Sequence, residues 1–272
     1  MDPVVLVHGA FHDLWGPNRL GFRWAPSLFD GLWAAGVDTR EVRLLESVRE
    51  SVHVAFWGDL FRPEPLPVED VMAGLTAGSD DGLTDVADRL ADEGLAAIDA
   101  IGAKVAALDH SRSTQLLARY FTDQAVRDQV IDRVDRCLDS STRVVVAHSM
   151  GTVVAYEALS RRPDLDIAAF VTLGSPLGAQ GMVFEMLQPA PVDGVGSVPA
   201  CVRRWTNVSA QGDLATLAAP RLAERFGDSV VYEYVYNGRH PHDIEPYLTT
   251  AATGRAVAEG LALTMGDRHS VV

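Results

Sequence analysis

Residues 144–159 read VVVAHSMGTVVAYEAL. The run of valines is the β-branched signature of a strand buried on both faces, predicted over 143–147. Past Gly151 the apolar residues take helical spacing, which predicts a helix over 152–160. A serine therefore stands where a buried strand turns into a helix. A serine hydroxyl is a weak nucleophile at neutral pH, and it needs a base for its proton and donors for the oxyanion that forms. A tight strand-to-helix turn helps with both. It pushes the Oγ out over the end of the sheet and sets the next backbone N–H at a helix N-terminus, where negative charge is stabilised. Such a turn is crowded, so small residues are needed on either side of the serine. Here they are Ala147 and Gly151. The plainer alternative is a serine that only caps the helix.

Working outward, the same alternation recurs. Residues 4–7 form a β-branched run ending at His8-Gly9, followed by a loop, FHDLWGPNRLGFRW, rich in Gly, Pro and aromatics. Residues 25–35 fit a helix that Gly36 stops. Strands are expected over 37–45, 52–57, 167–173, 201–208 and 230–236, and helices over 214–225 and 246–264. Residues 62–82, with three prolines near the start, read as an exposed excursion. Residues 83–138 are helix-prone throughout. The expected fold class is α/β: one domain over 1–272 with a mostly parallel sheet, helices on both faces, and a helical insertion or cap within 62–138. Packing of that block directly on the sheet is the alternative.

Composition bounds the partners. The 272 residues are 47% hydrophobic, enough for a large core, and the formal charge is −14. Such a surface repels phosphate backbones, so nucleic acid is not an expected partner. The two cysteines, Cys137 and Cys201, lack metal-ligand spacing and read as small buried hydrophobes. MDPVVLVHGAF has no basic n-region and no long apolar stretch, and no window holds 18 consecutive apolar residues. The expectation is a cytoplasmic protein without a transmembrane segment.

Val5-Leu6-Val7-His8-Gly9-Ala10-Phe11, Ala147-His148-Ser149-Met150-Gly151 and Thr172-Leu173-Gly174-Ser175-Pro176-Leu177, followed by an aspartate loop and a histidine loop, resemble the α/β-hydrolase family. The likeness is to its lipase- and esterase-like branch, which includes GPI-inositol-deacylase-like hydrolases. It covers roughly residues 3–61 and 140–264, and Ala147 departs from the glycine-x-serine-x-glycine form by one methyl. The resemblance implies a Ser-His-Asp triad in the order nucleophile, acid, histidine. Ser149 is the nucleophile. Asp213, at the tip of a polar loop, is the acid; a helix cap is its alternative role, and Asp193 is a weaker candidate. His242, a few residues before Tyr247-Leu248, is the base, with His240 next. The backbone N–H groups of Ala10 and Met150 are the implied oxyanion donors, with Phe11 second to Ala10. His8 reads as a structural histidine.

Phe11, Trp15, Pro176 and Leu177 are expected to border the substrate. Trp15, Phe22 and Trp24 could build an apolar acyl pocket or a local cluster, and residues 177–200 could form a lid. The expected activity is hydrolysis of an ester of a small-molecule or lipid-like acyl substrate, with a medium-to-large apolar acyl group if the aromatics and the lid form a pocket, and without metal or organic cofactor. The same residues would serve an acyltransferase or a cyclising thioesterase. A binding module that kept the fold is the reading from another class.

Overall fold

The structure, a computed structural model, describes residues 3–10, 12–38, 51–62, 116, 118–181, 183–217 and 222–266. The apolar runs become six strands: β1 (Val4–Val7), β2 (Val52–Ala55), β3 (Val144–His148), β4 (Ala169–Leu173), β5 (Trp205–Ala210) and β6 (Val230–Val235). They form one parallel sheet in the order β2-β1-β3-β4-β5-β6. Leu6 lies opposite Val54 on one side and Val146 on the other, and Val146 lies opposite Val171. The α/β class expected from the sequence is observed, with every pairing parallel.

The helices that accompany this sheet among the described residues are α1 (Pro17–Ala34), α2 (Gln124–Asp135), α3 (Met150–Ser160), α4 (Leu214–Leu217), α5 (Leu222–Phe226), α6 (Ile244–Leu248) and α7 (Ala251–Gly260). Strand side chains alternate between faces, so each central strand feeds two cores. Leu6, Val146 and Val171 join Leu28 and Leu32 of α1 and Val257 of α7 in one buried cluster. The intervening positions point to the other face. There α3 packs on β1 and β3, with α2 against α3. Phe170, Trp205, Tyr156 and Phe226 meet ring to ring there.

Several boundaries differ from the sequence reading. α1 begins at Pro17, so residues 17–24, expected as loop, are helical. Proline suits a first helical position because the N–H it lacks would have no partner there. The expected closing helix over 246–264 is two helices, and Thr250 separates them by capping α7, its Oγ1 accepting the Thr253 N–H at 3.2 Å. The strand expected at 201–208 is shifted to 205–210. Residues 39–45 of the strand expected over 37–45 lie outside the described residues, as do residues 83–115 of the helical block.

The chain divides into two compact units, Met1–Leu60 with Asp123–Val272, and Phe61–Thr122. The candidate site belongs to the first, which also holds α2. Among the described residues no helix is long and apolar enough to cross a membrane.

Candidate active site

The strand order reverses direction between β1 and β3. The chain first builds outward to β2, then returns past β1 and grows the other way. A crevice opens at the carboxyl ends of strands at such a point. The loop after β1 and the turn after β3 meet there closely. A Cβ on Gly9 would stand 2.8 Å from the Ser149 Cβ, and one on Gly151 would run into the carbonyl oxygens of Val7 and His8. These contacts explain why the turn needs small residues. Ser149 itself has φ 53° and ψ −130°, a left-handed conformation that a side chain rarely adopts. Holding it costs on the order of 1–3 kcal/mol, which the surrounding packing must offset. Thr152 fixes the turn by donating to the Ser149 carbonyl at 2.7 Å, and its oxygen lies 2.8 Å from the Ser175 Oγ.

Ser149 is half-buried, and its Oγ lies 2.9 Å from His242 Nε2. His242 Nδ1 lies 2.9 and 3.0 Å from the two carboxylate oxygens of Asp213. With an acceptor on that side, Nδ1 carries the proton and Nε2 is left to accept from the serine. Asp213 is fully buried, whereas the His242 side chain is 42% exposed. The carboxylate also accepts the Ala215 N–H at 2.9 Å and the Tyr247 hydroxyl at 2.6 Å. Beneath this pair runs Gly174, at φ +54°, where an added Cβ would stand 2.8 Å from Asp213 Oδ2 and 3.3 Å from His242 Nδ1.

Ala10 lies in the lining of the cleft above Ser149, and Met150 opens α3. The first N–H groups of a helix have no acceptor within it, so the Met150 N–H is available to an anion. The cleft measures about 310 Å³, at the small end of ligand pockets. Trp15 and Trp24 line it, together with Arg23 and Glu245. Arg23 pairs with Glu245 at 2.5 Å and stacks over Trp15. Phe22, expected beside the two tryptophans, is 75% exposed and lines a separate groove with Pro17 and Val54. It is two residues from Trp24 on one helix, and such neighbours point to different sides.

Leu177 is buried and Pro176 half-buried, and neither lines the cleft. Phe11 and Met182 lie outside the described residues. Residues 183–188 of the expected lid are tied down. Arg127, itself buried, donates to the Glu157 carboxylate and to the Met186 carbonyl at 2.8 Å, and the Gln188 N–H donates to Glu157 at 3.0 Å. Phe184 and Leu187 are buried as well.

Two side chains at the site were not singled out from the sequence. His148 is buried beside Ser149 and donates from Nε2 to the His242 carbonyl at 2.8 Å. Burial, then the neighbouring His242, holds its pKa well below the usual imidazole range, so it stays neutral. Tyr247 served only as a landmark for His242, yet its hydroxyl sits on Asp213. Among the described residues no three His, Cys, Asp or Glu side chains are grouped as a metal site requires. Comparison with known protein families and with curated proteins gives no match.

Proposed function

We propose that the chain is a serine hydrolase of the α/β-hydrolase type, lipase- or esterase-like, acting on a carboxylic ester. The observation that carries this reading is the Ser149–His242–Asp213 relay, with a hydroxyl on one imidazole nitrogen and a buried carboxylate on the other. His242 takes the proton of Ser149 as the Oγ attacks the ester carbonyl. Asp213 holds the imidazole and stabilises the cation. The Ala10 and Met150 N–H groups receive the oxyanion. His242 then returns the proton to the leaving alcohol, and water, activated by the same imidazole, releases the acyl group.

The cleft favours a small or medium acyl group over a long chain held entirely inside it. A series of nitrophenyl esters from acetyl to palmitoyl, with Ser149→Ala as control, tests both points. Short esters are expected to turn over faster, and only with Ser149 present. Equal turnover by the Ser149→Ala variant would remove the proposal.

A further inference from the structure

Asp213 presents two carboxylate oxygens, about four lone-pair positions, in a place that no water reaches. An ionised carboxylate so buried needs donors all round it. Oδ1 faces the His242 ring and accepts the Ala215 N–H, while Oδ2 accepts the Tyr247 hydroxyl at 2.6 Å. That distance is characteristic of a charge-assisted O–H···O⁻ bond. The Tyr247 ring is fully buried and cannot swing away. Burial, then the charge of Asp213, pushes its pKa far up, so the phenol remains a donor at any pH the enzyme meets. Gly174, at φ +54°, lets acid, base and tyrosine close up, since a Cβ there would stand 2.8 Å from Asp213 Oδ2 and 3.3 Å from Tyr247 Cε2. His242 and Tyr247 also lie on one short segment, with α6 starting two residues past the base.

We propose that Tyr247 is a positioning residue of this site: its hydroxyl fixes the Asp213 carboxylate against His242 and takes up part of its charge. The proposal rests on the hydrolase reading of Ser149, His242 and Asp213. It has a consequence that packing alone does not. Without the hydroxyl, more of the carboxylate charge acts on His242, the imidazolium is favoured, and a higher pH is needed to free the base. The other groups around His242 are unchanged by such a substitution. They are His148, at 4.9 Å between ring centroids, and His12, Arg23, Asp243 and Glu245 around the cleft.

The test is Tyr247→Phe in the full chain, with nitrophenyl butyrate hydrolysis followed against pH. The expected result is a roughly 10-fold lower kcat, an unchanged KM, and an acid limb of kcat/KM moved up by about half a pH unit. A second variant, with a fluorinated tyrosine at position 247, keeps the shape and strengthens the donor. Its acid limb is expected to move to lower pH, and this arm decides the matter if Tyr247→Phe does not fold. Fluorophosphonate labelling of Ser149 in the unaltered chain separates the two levels of failure. A labelled, active chain whose acid limb stays put in the variants overturns the role of Tyr247 alone. A chain that neither labels nor hydrolyses ester overturns the hydrolase reading and this proposal with it.

Discussion

The loops that leave β1 and β6 both bring imidazoles to Ser149, and they make opposite use of them. After β1, His8 is buried with both nitrogens committed to the backbone. Nδ1 donates to the Gly9 carbonyl at 2.7 Å, and Nε2 accepts the Trp57 N–H at 3.1 Å. Its ring stacks on Trp57 at 4.2 Å between centroids. Burial pulls its pKa down to about 3, and burial followed by Arg23 pulls His12 down to about 4. After β6, His242 keeps an exposed edge, a carboxylate on Nδ1 and the serine on Nε2. On the proposed reading, proximity to Ser149 does not make a histidine a base. A buried carboxylate on the far nitrogen and a route for protons do.

The largest effect that bears on this contrast is expected at His242. Replacing it by alanine should lower ester turnover by roughly 10⁴-fold or more, read from kcat on a nitrophenyl ester. A loss within ten-fold would mean that the base is elsewhere.

Next comes acid stability. The unfolded chain protonates His8 and His12 near 6.5, while the folded chain resists until about 3 and 4. The unfolded state therefore binds more protons across that window, and stability falls as pH drops through it. The loss of stability should be on the order of 5 kcal/mol for His8, absent above pH 6.5 and complete below pH 3. Denaturation midpoints measured against pH should be flatter for His8→Gln, and an unchanged slope would contradict the burial argument.

A smaller effect is expected at His148, whose Nε2–H holds the His242 carbonyl. His148→Phe should lower kcat by roughly 3- to 10-fold, the worth of one neutral hydrogen bond. The smallest is at His240, which is exposed and contributes its carbonyl to a turn with the Asp243 N–H. His240→Ala should leave turnover within about two-fold, because surface substitutions rarely move a site. A large loss there would exchange the two histidines.

The sequence made the central strands legible because β1, β3 and β4 are buried on both faces and read as continuous β-branched or apolar runs. Ser149, Asp213 and His242 were legible because each ends a strand in a short loop with glycine or proline nearby. Pro17 hid the start of α1, since proline among aromatics and glycines suggests a loop unless it falls on the first turn. Tyr247 and His148 had no pattern to announce them. Their roles depend on where Oη and Nε2 arrive after residues far apart in the chain fold together. The same holds for Arg127 and Glu157, two charges on separate helices that only the fold pairs. The pinned segment 183–188 reads as an ordinary loop for that reason.

The most direct measurement is reaction of the purified chain with a fluorophosphonate probe, the modified residue being located by mass spectrometry, beside Ser149→Ala and Asp213→Asn. The account predicts a single label on Ser149, absent from the alanine variant and formed orders of magnitude more slowly when the carboxylate that orients His242 is neutralised. Labelling of another residue, or none where an established serine hydrolase reacts readily, would contradict it.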